Sequence, residues 1–216
     1  MAHRARLTGV LLVGGASARF GSPKAQARLD GLTLAEIAWA TLGAACDDRL
    51  AVGKRGDGLD LPFEVVDDAT DVRAPLAGVV AGLRAAMSDL CVFLPVDCPR
   101  MTPGALRLLS EACADAAVPG HDRPLPGAYR KSALPVLERR LRDGDLALRD
   151  ALAELDAREV MLDPAGLVNV NTRAELAALQ RPATGSRPRG DTTRSRSAPV
   201  PTSETSISSS RSTSST

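Results

Sequence analysis

The chain has 216 residues, 44% hydrophobic, 25% charged and 2% aromatic, with 27 Lys and Arg against 26 Asp and Glu. That length suits one well-buried core with at most a small appendage. A formal charge of +1 and so few aromatics exclude the electrostatic footprint and stacking surface of a dedicated nucleic-acid binder, and no stretch nears the roughly 18 to 20 apolar residues of a membrane span, which excludes a membrane partner.

The opening residues imitate a secretory signal, with His3, Arg4 and Arg6 before an apolar run and Ala16-Ser17-Ala18 after it. The run Val10 to Val13 is too short for that role, and Gly14-Gly15 interrupts it. Cys46, Cys91, Cys98 and Cys113 form no C-x-x-C pair, so reduced thiols and a cytoplasmic protein are expected.

Leu7 to Val13 reads as a strand buried on both faces that ends in a glycine turn. A helix is expected over Leu32 to Ala45, strands at Arg49 to Val52 and Phe63 to Val66, a helix over Leu76 to Met87 and a strand at Leu90 to Val96. Thr102 and Pro103 open a predicted helix to about Ala116, as N-cap and first helical residue. Then come a strand at Leu125 to Tyr129 and helices over Ser132 to Arg142 and Leu146 to Leu155. Short strands at Arg158 to Leu162 and Gly166 to Val170 precede a helix at Thr172 to Leu179. This alternation predicts a three-layer α/β fold, Rossmann-like, with a mostly parallel twisted sheet and helices on both faces. Residues 1–180 are expected to form the folded domain. In 181–216 half of the 36 residues are Ser or Thr, with six Arg and scattered Pro; such a segment lacks the apolar area to offset its ordering entropy, and a disordered tail is expected.

In open α/β sheets ligands gather at the carboxyl ends of the strands, and three turns there carry unusual residues. In the first, Gly14, Gly15 and Gly21 allow close backbone approach to an anion, while Arg19 and Lys24 add positive charge, which reads as a polyphosphate cradle or else as a flexible surface loop with incidental basic residues. The spacing fits neither G-x-x-x-x-G-K-[ST] nor G-x-G-x-x-G. In the second, Asp97 follows an apolar strand and is placed either to hold Mg2+ beside phosphate oxygens or to cap a turn; Cys98 beside it reads as a small buried filler. In the third, Asn169 and Asn171 alternate and point to one face, where they could hold a polar ligand or satisfy loop backbone.

Together these residues bring a family into view. Leu12-Val13-Gly14-Gly15-x-Ser17-x-Arg19-Phe20-Gly21-x-x-Lys24 resembles the L-A-G-G-x-S-x-R-M-G-x-D-K signature of the MobA-like nucleotidyltransferases, the molybdenum cofactor guanylyltransferase family. Pro75-Leu76-Ala77-Gly78, Pro95-Val96-Asp97-Cys98-Pro99, Arg123 to Arg130, Gly144-Asp145 and Asn169-Val170-Asn171-Thr172 extend the similarity in the family's order across nearly all of 7–179.

The resemblance implies transfer of GMP from GTP to the terminal phosphate of molybdopterin, with Mg2+ as cofactor and pyrophosphate as second product. Other molybdenum cofactor biosynthesis or acceptor proteins are the implied partners. By position, it assigns Leu12, Val13, Gly14 and Gly15 to nucleotide contact, Lys24 to the phosphates, Arg19 to the leaving pyrophosphate, and Asp68 to the nucleotide's vicinity. Asp97 falls to Mg2+ and the nucleotide, and Asn169 and Asn171 to the acceptor side. The chain departs from the pattern at Phe20 for Met, Val13 for Ala and Pro23 for Asp. Val52-Gly53-Lys54 stands where relatives can place an Asn near the base, and Arg73-Ala74-Pro75 replaces Gly-Pro. Two alternatives stay open: a cytidylyltransferase acting on molybdopterin or another small phosphorylated acceptor, and a non-catalytic nucleotide or cofactor carrier.

Overall fold

The first strand, β1 (Leu7–Leu12), is buried along its whole length, and its side chains alternate between two separate cores. Leu7 and Leu11 face one core, Val10 and Leu12 the other. That is the pattern of a central strand covered on both faces. The computed structural model describes residues 6–14, 20–120 and 122–180; the predicted tail 181–216 lies outside the described residues.

After β1 come a small ribbon, β2 (Arg28–Leu29) and β3 (Leu32–Thr33), then α1 (Leu34–Ala45), β4 (Asp48–Gly53), β5 (Val65–Asp67), α2 (Pro75–Ala85) and β6 (Leu90–Pro95). The second half carries α3 (Pro103–Ala112), β7 (Ala116–Val118), β8 (Gly127–Arg130), α4 (Leu134–Asp143), α5 (Leu148–Ala151), β9 (Ala157–Glu159) and α6 (Arg173–Gln180). The main sheet runs β5-β4-β1-β6-β8-β7-β9. All its neighbours pair in parallel except β8, which is antiparallel to both β6 and β7. Buried residues of α1 and α3 pack in one core and those of α2, α4 and α5 in the other, giving the expected three layers.

Helix boundaries follow local chemistry. Thr33 caps α1 in a reciprocal box with Glu36, so this helix starts two residues later than the expected Leu32. The backbone N–H of Thr33 donates to Glu36 Oε2 at 2.7 Å and holds the Glu36 carboxyl below its usual range. Thr102 accepts from Ala105 N at 3.2 Å with Pro103 at the first position of α3, as predicted. Two expectations fail. The helix ends at Ala112, and Ala116–Val118 is a strand instead, filling the gap between β8 and β9. Gly166 to Val170 is not a strand: Asp163 caps a 3-10 turn over Pro164–Leu167, and the extended chain beyond it enters no ladder.

The α2 helix lies close to the sheet because Gly82 carries no side chain. A Cβ there would stand 2.6 Å from Phe93 Cε1 and 2.7 Å from Val10 Cγ1, both on fully buried residues. Overpacking of this kind costs about 1 to 3 kcal/mol, against about 1 kcal/mol regained from helix propensity. Gly82→Ala is therefore expected to destabilise the protein by up to about 2 kcal/mol. Urea unfolding checks this, and a midpoint that rises would show that the contact relaxes freely.

Candidate functional site

Because β1, β4, β5 and β6 run parallel, their carboxyl ends Leu12, Gly53, Asp67 and Pro95 come out along one edge, with Leu12 level with both Val52 and Pro95. The chain leaves β1 for β4 on one side and later adds β6 on the other, so this edge is a topological switch point, where ligand crevices form. A cavity of about 350 Å³ opens there, lined among others by Leu12, Gly14, Gly53, Asp68, Asp97 and Asn169. β1 and β4 draw together at its floor. A Cβ on Gly53 would stand 2.7 Å from Val13 Cγ2, and the Val13 N–H donates to Val52 O at 3.0 Å.

The three turns singled out in the sequence meet at Lys24. It opens a 3-10 turn, Lys24–Gln26, and its ammonium lies 3.0 Å from Asn171 Oδ1 and 3.4 Å from Asp97 Oδ2. Both side chains of the ion pair are largely but not wholly buried, at 15% and 24% exposure, which leaves them within reach of a ligand. The main chain closes the same triangle, since Val170 N donates to Asp97 O at 2.8 Å. Val170 is fully buried between Asn169 and Asn171 and so anchors the segment that bears both amides.

Cys98 completes the link. Its buried thiol lies 3.1 Å from Asn169 Oδ1 and 3.6 Å from Asp97 Oδ1. Burial, with the Asp97 carboxylate beside it, pushes the Cys98 thiol up, so it is a neutral S–H donor to Asn169 and not a nucleophile at neutral pH. Sequence reasoning found a buried small side chain here but missed this bridge, which depends on contact across 71 residues.

Further contacts hold the lysine turn from outside. The Arg173 guanidinium donates to Phe20 O and Ser22 Oγ, both at 3.2 Å, just before Lys24. Glu175 accepts from the N–H groups of Asn171 and Thr172 at 2.6 and 2.9 Å, which holds its carboxyl below its usual range and fixes the start of α6 beside Asn171. On the other side of the cavity Asp68 ends β5's exit turn and pairs with Lys54 at 2.8 Å, with both side chains nearly buried. Lys54 is a site residue that the sequence shows only as a departure from a pattern.

Gly15 and Arg19 lie outside the described residues. Arg130 and Lys131 lie at the opposite edge of the sheet, level with Leu90, where Arg130 pairs with Asp89 and Lys131 donates to Ala86 O. Among the described residues no group of three or more His, Cys, Asp or Glu side chains could hold a metal by itself. Asp97 offers one carboxylate at the cavity, which fits Mg2+ where the other ligands are phosphate oxygens and water. Among the described residues no helix is long and apolar enough to cross a membrane.

The sequence profile of the MobA-like NTP transferase domain matches residues 9–160. A Bacillus subtilis protein named a probable molybdenum cofactor guanylyltransferase is 35% identical over 79% of this chain and 93% of its own. A molybdenum cofactor guanylyltransferase of Desulfosudis oleivorans is 30% identical over 79% and 92%. Among solved structures, molybdopterin-guanine dinucleotide biosynthesis protein A of Archaeoglobus fulgidus superposes with a TM-score of 0.70 at 25% identity, covering 80% of this chain and 96% of its own.

Proposed function

Since the chain belongs to the MobA-like NTP transferase family, we propose that it transfers GMP from GTP to the terminal phosphate of molybdopterin, giving the guanine dinucleotide form of the cofactor and pyrophosphate. The observation that carries this reading is the meeting of Lys24 and Asn171 with Asp97, which lines a cavity on the sheet's switch edge. The relatives' printed names supply the nucleotide and the acceptor.

In this reading an oxygen of the acceptor phosphate attacks the α-phosphorus of GTP, and the bond from that phosphorus to the β-phosphate bridging oxygen breaks. The acceptor is already an anion, so no general base is needed; the obstacle is bringing two phosphates in line against their repulsion. The triphosphate lies over the turn after β1, where Leu12 and Gly14 line the cavity and Lys24 supplies a fixed charge. Arg19 and Gly15 fall to the same cradle by their place in the signature. Asp68 takes the nucleoside side, and Asn169 and Asn171 hold the acceptor side against Cys98 and Lys24. Bound through Asp97, Mg2+ would screen the phosphate charges and stabilise the charge developing on the leaving group.

The proposed domain is 1–180 with a separate tail, the proposed compartment the cytoplasm, and other molybdenum cofactor biosynthesis or acceptor proteins the proposed partners. Pyrophosphate release with Mg2+ and molybdopterin, compared across GTP, CTP and ATP, tests the function. A clear preference for GTP is expected. Preference for CTP would change the product while keeping the chemistry, and nucleotide binding without release from any of the three would make the protein a carrier.

A further inference from the structure

Lys54 stands at the end of β4, facing the cavity, with three donors on its ammonium and an acceptor for each of them. Two go to the Asp68 carboxylate, at 2.8 and 3.0 Å, and the third to the carbonyl of Thr70. The residue between those two partners is Ala69, whose φ of 55° lies in the left-handed region that favours glycine. Such backbone persists only where its surroundings hold it. The turn has internal support, since Asp67 Oδ1 accepts from Ala69 N at 3.0 Å and Asp68 Oδ1 from Thr70 N at 3.3 Å. From the end of β4, Gly53 O accepts from Asp68 N at 2.9 Å, and the Lys54 side chain grips the residues on both sides of the strained one.

That turn leads directly into Val72, Arg73, Ala74 and Pro75, which form one wall of the cavity. The far end of the wall is tied down separately, where Arg73 pairs with Asp57 at 2.7 Å on the surface. We propose that Lys54 is a positioning residue for nucleotide binding: its grip on Asp68 and Thr70 holds the Ala69 turn, and the turn holds the wall against which the nucleoside lies. With its donors committed to protein acceptors, Lys54 acts through the loop and not by touching the phosphates. This account makes Lys54 and Arg73, two departures from the family pattern, anchors of one wall. It rests on the reading of this cavity as the nucleotide site.

The test is the Kd of Mg2+-GTP for the full chain by calorimetry, in the wild type, Lys54→Met and Lys54→Met/Ala69→Gly. Loss of a buried charged hydrogen-bonding partner should weaken binding by about tenfold. Glycine adopts the left-handed conformation without strain, so the double variant should recover at least about a third of the lost affinity if Lys54 works by holding the turn. An unchanged Kd in Lys54→Met overturns the proposal. A loss that Ala69→Gly does not recover also overturns it, because a lysine that touched the nucleotide directly could not be replaced by relaxing the loop. Should Lys54→Met fail to fold, Lys54→Gln keeps one donor for Asp68 and loses the charge, and an unchanged Kd there is equally decisive. Wild-type protein that binds GTP but releases no pyrophosphate with molybdopterin would sink the proposed reaction and leave the Lys54 comparison readable, whereas no GTP binding at all would overturn both.

Discussion

Lys24→Ala is expected to lower pyrophosphate release by about a hundredfold or more while the protein stays folded. Losing one preorganised donor to charge that develops in a transition state costs about 3 to 4 kcal/mol, which corresponds to factors of about 10² to 10³. The side chain pairs with Asp97 and belongs to neither core, so its removal opens no void in the packing. The loss should fall on turnover, because the ammonium is held in place by Asp97 and Asn171 and acts on charge that develops only in the transition state. Steady-state kinetics with a thermal melt checks this. Turnover within a few-fold of the wild type would remove Lys24 from the chemistry and leave it as a tie between two loops.

Asp97 is expected to match that loss by a different route, and two substitutions separate its duties. Its carbonyl, which accepts from Val170 N, is backbone and survives any side-chain change. Asp97→Asn keeps an oxygen near Cys98 and Lys24 but gives up the charge that a hard cation requires. If Asp97 holds Mg2+, Asp97→Asn and Asp97→Ala should both fall by about a hundredfold or more, and raising the Mg2+ concentration should return part of the Asn variant's rate. If the carboxylate only steadies its neighbours, Asp97→Asn should keep most of its activity. Measuring both variants across a magnesium series decides between the two.

Much of this site was legible before any coordinates, because each turn announced itself at the end of an apolar run. Gly14, Lys24 and Asp97 could be placed on one edge by the rule that parallel strands present their carboxyl ends together. Asn169 and Asn171 were legible as a pair on one face, and they do bracket a buried Val170. What stayed hidden was what depends on tertiary neighbours. Lys54 finds its carboxylate fourteen residues away across two strands, and no local pattern marks it. Ala116–Val118 was hidden because alanines extend a helical pattern as readily as a strand, and only the open place between β8 and β9 makes these three residues a strand. Gly166 to Val170 misled in the opposite sense, since an apolar alternation looks like a strand whether or not an edge is available to pair with it. The cavity wall of Val72 to Pro75 is the part the sequence reads least well, and there Arg73-Ala74-Pro75 departs from the expected pattern.

The tie between Lys24 and Asn171 spans 147 positions of the chain, and this bears on biosynthesis of the protein itself. On the ribosome the turn after β1 emerges early, with Lys24 in it, but the amide that orients this lysine and the Arg173 that braces its turn come only with the last part of the folded region. A nascent chain thus carries half of the Lys24 contact set for most of its synthesis. Products released early by stalling or nicking would lack Asn171 and Arg173, and with them the late half of the contacts that hold the lysine turn.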